Sequence, residues 1–202
     1  MDNKNKLKIM LKDIIKIIEG PYIVADGALL GLMREGDLLE FDDDIDIYIL
    51  PETKINWDKL PNNYKHHKDY MCYKIYNGED QIPVENEWLR YVSYKRCCYQ
   101  YLGYNRCQLT EAIATDYKSE KIDRQYPNLW VDIIPLVHDN KHNLYRLPYH
   151  WNKQEFWFTP DEFKSEINNR LGFDIKIPKN PREVLKRIYG TNWIIENRFH
   201  QY

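Results

Sequence analysis

Six residues constrain this chain more than any others. Asp44-Ile45-Asp46-Ile47-Tyr48-Ile49 alternates without a break, with Ile45, Ile47 and Ile49 on one face and Asp44, Asp46 and Tyr48 on the other. Only a β-strand has that period, and only a sheet with one apolar and one polar face can use it. Pro51 ends the strand. Its polar face closes an acidic run, Glu35, Asp37, Glu40, Asp42, Asp43, Asp44 and Asp46. Most charge runs are solvated loops. Here the strand period argues otherwise. Asp44 and Asp46 at i and i+2 project together, and two unpaired carboxylates side by side raise each other's pKa. A divalent ion would remove that cost, and carboxylate oxygen suits Mg²⁺ or Mn²⁺. Asp42 is in the same phase and is read as a supporting acid. An EF-hand loop starting at Asp42 would need Gly and Glu where Ile47 and Thr53 stand.

Two further places carry the same chemistry. Trp130-Val131-Asp132-Ile133-Ile134-Pro135 is an apolar strand with a carboxylate inside it. A buried lone charge is expensive, so Asp132 needs a partner, and a metal shared with Asp44 and Asp46 would be one. Upstream, Tyr22-Ile23-Val24-Ala25 reads as a short buried strand and Asp26-Gly27 as the turn into a helix through Met33, with Asp26 as its cap. Gly27 lets a ligand approach the backbone, and a helix start suits phosphate. A phosphate site, two adjacent carboxylates and a third acid are what metal-assisted phosphoryl transfer requires.

The remaining chain supplies a frame. Residues 6 to 18 have the three-and-four apolar spacing of an amphipathic helix, ended by Gly20-Pro21. A short helix is expected over Asp161 to Arg170, and another over Pro181 to Tyr189 with Pro at its start and Gly190 behind it. The expected class is α/β (α+β). A core over 1–140 carries a Tyr- and Cys-rich insertion at 57–118, and a helical element over 141–202 packs on it. Cys72, Cys97, Cys98 and Cys107 do not follow a zinc pattern and read as ordinary thiols. His138, His142 and His200 have no partner visible in sequence, and His150-Trp151 and Trp157-Phe158 read as core before sugar contacts.

Charge and hydropathy exclude some classes. With 29 Lys+Arg against 31 Asp+Glu the chain lacks the basic excess of a nucleic-acid binder. No apolar stretch approaches the roughly 20 residues of a membrane span. The first residues have no signal-peptide core, so the cytoplasm is the expected compartment. Oligomeric state is not legible.

The segments Asp26-Gly27-Ala28-Leu29-Leu30-Gly31-Leu32-Met33-Arg34, Glu40-Phe41-Asp42-Asp43-Asp44-Ile45-Asp46, Val131-Asp132-Ile133-Ile134-Pro135-Leu136, and Ile177-Pro178-Lys179-Asn180-Pro181 with Tyr189-Gly190-Thr191-Asn192-Trp193 stand in order. This set resembles the fukutin/LicD family, over about residues 7–50, 129–137 and 156–193. The resemblance implies a nucleotidyltransferase-like core, with a mixed sheet flanked by helices. It also implies transfer of a phospho-alcohol, such as phosphocholine or ribitol phosphate, from a CDP-linked donor to a glycan or glycolipid hydroxyl, with release of CMP. On it, Asp44 and Asp46 bind the metal and Asp132 is third ligand or base. Gly27 and Ala28 line the phosphates. Arg34 steadies a phosphate or the acidic loop, unless it pairs with Glu35 or Asp37. Ala28 replaces the family's Thr or Ser, Glu40-Phe41 its Pro-Trp, and Asp26 a common Gly. Two alternatives stay open: transfer of a whole nucleotide with release of pyrophosphate, and a silent nucleotide- or glycan-binding domain. The chain is 14% aromatic, and much of this lies at Tyr64–Tyr117 and Tyr145–Phe158, outside the matched segments. Those stretches are expected to build the acceptor side.

Overall fold

The computed structural model describes residues 2–40, 42–68, 72–78, 129–147 and 157–195. Cys97, Cys98, Cys107, His150, Trp151, His200 and most of the 57–118 stretch lie outside the described residues.

Asp2 caps α1 (Asn3–Ile14) by accepting from the Asn5 backbone N–H at 2.8 Å. The helix stops earlier than its apolar spacing predicts. Its end tightens into a 3₁₀ turn at Ile15–Ile17, and the chain leaves as β1 (Ile18–Glu19). Then come β2 (Tyr22–Val24), α2 (Asp26–Arg34), β3 (Asp44–Ile49) and β4 (Lys54–Ile55), which pairs back onto β1. Three strands follow: β5 (Tyr64–Lys68), β6 (Tyr73–Asn77) and β7 (Trp130–Pro135). Next are β8 (Val137–Asp139), β9 (Leu144–Arg146) and β10 (Trp157–Phe158), which form a three-stranded sheet. A ribbon of β11 (Glu166–Asn168) and β12 (Ile175–Ile177) precedes α3 (Pro181–Tyr189).

The main sheet has the order β2-β3-β7-β6-β5. β3 and β7 run parallel and the other neighbours antiparallel, so the sheet is mixed, as expected. Cross-strand partners share a face. One face therefore gathers Ile45, Ile47, Val131, Ile133 and Ile75, all fully buried. α1 crosses it with Leu7, Met10, Leu11 and Ile14, spaced to form one stripe. Each such side chain contributes about 1.5–3 kcal/mol when buried. Tyr64 Oη donates to Asp13 Oδ2 at 3.2 Å and ties β5 to the helix. The opposite face carries Asp44, Asp46, Tyr48, Asp132 and Lys74.

The helix expected over Asp161–Arg170 does not form. Glu162 and Thr159 close a local loop, Glu162 accepting from the Thr159 N–H at 2.7 Å and Thr159 Oγ1 from the Glu162 N–H at 3.2 Å. Only a 3₁₀ turn at Glu162–Lys164 follows, and Ser165, at φ +42°, turns the chain into β11. Arg187 of α3 clamps Glu162 at 3.0 Å, which draws that carboxylate into tertiary structure. The C-terminal helix itself is present as α3, with Pro181 at its start and Gly190 at its end.

α2 packs against β3 and α3. Its Gly31 is a poor helix residue by propensity, by about 1 kcal/mol relative to Ala. The reason for it is space: a Cβ there would lie 2.6 Å from the Asp37 carbonyl oxygen and 2.8 Å from the Leu39 nitrogen. The returning loop thus presses directly on the helix. Gly31→Ala is expected to destabilise the fold by about 1–3 kcal/mol despite its better helix propensity. A thermal melt would read this as a fall of several degrees, and an unchanged or raised midpoint would refute the packing argument.

Candidate functional site

The polar face of the sheet is assembled by register. Asp46 is the Cα partner of Asp132, Asp132 of Lys74, and Lys74 of His67. Four ionisable residues thus form one row across β3, β7, β6 and β5. Asp44 stands one step along β3 on the same face, opposite Trp130. The Lys74 ammonium donates to both Asp132 oxygens, at 2.9 Å and 2.6 Å, and lies 4.9 Å from the centre of the Trp130 ring. Asp132 therefore has a partner, as its buried position demands, and that partner is an ammonium group. Sequence reasoning did not find Lys74. The only local hint is the polar residue alternating with Tyr73 and Ile75, and its partner is 58 residues away.

The acidic run divides by what surrounds it. Glu35 pairs with Arg34 at 3.7 Å, Asp37 with Lys8 at 2.7 Å, and Glu40 with Lys4 at 3.4 Å. These three behave as ordinary surface charges. Among the described residues, no ion pair reaches Asp42, Asp43, Asp44 or Asp46. Instead, one oxygen each of Asp42, Asp43 and Asp44 lies within 4.8 Å of the others.

The start of α2 closes the site from the side. A Cβ on Gly27 would lie 2.9 Å from Asp42 Oδ2, so the glycine makes room for the Asp42 carboxylate against the helix start. Asp26 does not cap the helix. Ala25 holds the cap position without a side-chain bond, and Asp26 is the first helical residue, at φ +47°. A positive φ is uncommon for a residue with a side chain, and such strain clusters at functional positions. The Asp26 carboxylate accepts from the Tyr48 hydroxyl on the polar face of β3. Its other oxygen, Oδ1, is buried without a hydrogen-bond partner, and so is Asp42 Oδ2.

The electrostatics follow from this crowding. Burial pushes the Asp42 carboxyl up to about 7, with help from Asp44, Asp43 and Asp26. Burial raises Asp44 to about 6, Asp132 and Asp43 add to it, and Lys74 opposes. Asp46 is raised by burial and then by Asp26, Asp44 and Asp132, again against Lys74. Asp26 rises to about 6 through burial, partly offset by the Tyr48 hydroxyl. For Lys74, burial lowers the pKa, but Asp132, Cys72 and Asp44 outweigh it and the ammonium is held charged. Orphaned, all-oxygen, mutually repelling donors are a set that a hard divalent cation fits.

Other expected positions lie elsewhere or serve packing. Ala28 is buried at the start of α2. Arg34 is at the far end of that nine-residue helix, about 10 Å along its axis from Gly27, paired with Glu35. Of the aromatic residues expected on an acceptor side, Tyr64 is buried on the α1 face, and Tyr145 and Phe158 pack on Phe163. Trp157 stacks beside Arg187 at 3.9 Å. His142 contacts Asp139 at 2.8 Å, and His138 contacts Asn140 at 2.7 Å. Cys72 is a half-buried thiol that is in no disulfide among the described residues. No helix among the described residues is long and apolar enough to cross a membrane.

The profile of the nucleotidyltransferase domain described as LicD/FKTN/FKRP matches residues 19–180. No curated protein matches the chain. The matched span holds every residue of the carboxylate site together with Lys74.

A pH dependence follows. In the unfolded chain these carboxyls titrate near 3.8, while folded Asp44 and Asp26 titrate at about 6 and Asp42 at about 7. Between those values the native state binds more protons, so the cluster's contribution to stability falls as pH rises from about 4 to about 7. In chelator, Asp42→Asn should recover about 2 kcal/mol at pH 7.5 and little at pH 4.5, since a tenfold change in proton affinity is worth about 1.4 kcal/mol. Thermal melts at the two pH values test this, and an equal effect at both would refute it.

Proposed function

The chain belongs to the LicD/FKTN/FKRP family of nucleotidyltransferase domains, and on that footing we propose that it is a metal-dependent phospho-alcohol transferase. It moves a group of the phosphocholine or ribitol-phosphate type from a CDP-linked donor to a glycan or glycolipid hydroxyl and releases CMP. The observation that carries this reading is the convergence of Asp42, Asp43 and Asp44 beside the start of α2, with Asp46 next along the same face of β3 and no ion pair to any of the four among the described residues.

Asp42, Asp44 and Asp46 would hold Mg²⁺ or Mn²⁺. When bound, the ion would neutralise phosphate oxygens and stabilise developing charge by several kcal/mol. The donor phosphates would lie at the start of α2, beside the Asp42 carboxylate that Gly27 admits and over the buried Ala28. Ala28 has no hydroxyl, so binding there falls to backbone N–H groups and the helix dipole. The Lys74 ammonium pairs with Asp132 and orients it, and Asp132 takes the proton of the attacking hydroxyl. Without a cation the clustered carboxylates repel a phosphate, so donor binding depends on the metal.

Ala28 is the one feature that favours a silent binding domain, in which donor binds without turnover. The test is purified protein with Mg²⁺ or Mn²⁺, a panel of CDP-alcohols and candidate glycan acceptors, measured by CMP release. Asp44→Asn and Asp46→Asn are each expected to lower turnover by about 10²–10³-fold, the loss that corresponds to roughly 3–4 kcal/mol. Folded variants that turn over like the parent would defeat the metal assignment. Pyrophosphate in place of CMP would mean transfer of a whole nucleotide. Donor binding without product would select the silent domain.

A further inference from the structure

We propose that Lys74 is the built-in counter-cation of this site, occupying the position where a second metal ion would sit and so limiting the chain to one divalent cation. The inference rests on the metal-dependent reading above and specifies its stoichiometry. Asp46 and Asp132 are in-register partners on adjacent parallel strands. Such strands lie about 4.8 Å apart, and paired metal ions lie about 3.5–4 Å apart. The polar face therefore sets carboxylates of two neighbouring strands side by side, as a site shared by two cations would require, with Asp42 and Asp44 at one end, Asp46 between and Asp132 at the other.

One end of that row is already filled. The Lys74 ammonium contacts both oxygens of Asp132, at 2.9 Å and 2.6 Å, and faces the Trp130 ring at 4.9 Å. Both partners are largely enclosed, with side-chain exposures of 24% and 11%. The pairing is set by the β6–β7 ladder itself, in which Lys74 and Asp132 are Cα partners. No loop has to move to form it. A second cation would have to displace an ammonium held by the sheet and then sit beside it. The orphaned oxygens, Asp26 Oδ1 and Asp42 Oδ2, both belong to carboxylates outside the Lys74–Asp132 pair. That is where the single ion has donors waiting. Lys74 is a positioning residue in this scheme, acting through Asp132.

Equilibrium Mn²⁺ binding, read by calorimetry and by the spin-resonance signal of free Mn²⁺, tests the proposal without any turnover. The parent should bind one Mn²⁺ per chain. Lys74→Met should bind two, because Asp132 is released as a ligand. Lys74→Arg, which keeps the charge, should bind one. The double variant Lys74→Met/Asp132→Asn removes the pair at constant net charge. It should bind one Mn²⁺ with an affinity within about threefold of the parent. The double variant decides the matter if Lys74→Met does not fold: a tenfold or greater loss of affinity would make Asp132 a ligand and overturn the proposal. Two ions in the parent, or one in Lys74→Met, would also overturn it and leave the metal-dependent reading standing. No Mn²⁺ in the parent would remove that reading itself.

Discussion

The parallel ladder between β3 and β7 is the contact on which the other features depend. It runs in register from Asp44 opposite Trp130 to Ile49 opposite Pro135. Because side chains alternate, this single pairing sorts both strands at once. Ile45, Ile47, Val131 and Ile133 turn to α1, and Asp44, Asp46 and Asp132 turn away from it. A slip of one residue would send the carboxylates into the apolar stripe of α1 and the isoleucines to the polar side. The register of the chemistry and the register of the core are therefore the same quantity.

That coupling explains how so many acids are tolerated together. Raising a carboxyl from 3.8 to about 6 or 7 costs a few kcal/mol per group at neutral pH. The opposite face offsets this with a row of fully buried isoleucine, valine and leucine side chains, each contributing about 1.5–3 kcal/mol. The cost is concentrated in one place, where a proton relieves it and a bound cation would do the same. The acids that would have had no such relief, Glu35, Asp37 and Glu40, are paired with Arg34, Lys8 and Lys4 instead. One contiguous acidic run thus does two different things, and the division falls between Glu40 and Asp42, just before β3 begins at Asp44.

Much of the site was legible in the chain. The period of two put Asp44 and Asp46 on one face, the apolar run around Asp132 marked a second strand, and Gly27 marked a backbone that something approaches closely. What approaches Gly27 in the folded protein is the Asp42 carboxylate. Asp26 read as a helix cap because its position in sequence suits one. In the fold its side chain turns to Tyr48 and joins the acids, which a pattern of neighbours along the chain does not encode. The helix expected over Asp161–Arg170 was lost for a similar reason, since Arg187 and β12 claim its residues from outside.

By itself, the sequence determined which residues are strands, which faces are apolar, and that three separated acids need charged company. Those are local matters, set by alternation, helix period and the cost of burying a charge. The tertiary structure decided who that company is. Lys74 meets Asp132 across 58 residues because two antiparallel strands happen to align them, and Asp46 meets Asp132 because two parallel strands do. Strand pairing joins residues at any separation, so the partner of a buried charge is a property of register, which periodicity along a single strand does not contain.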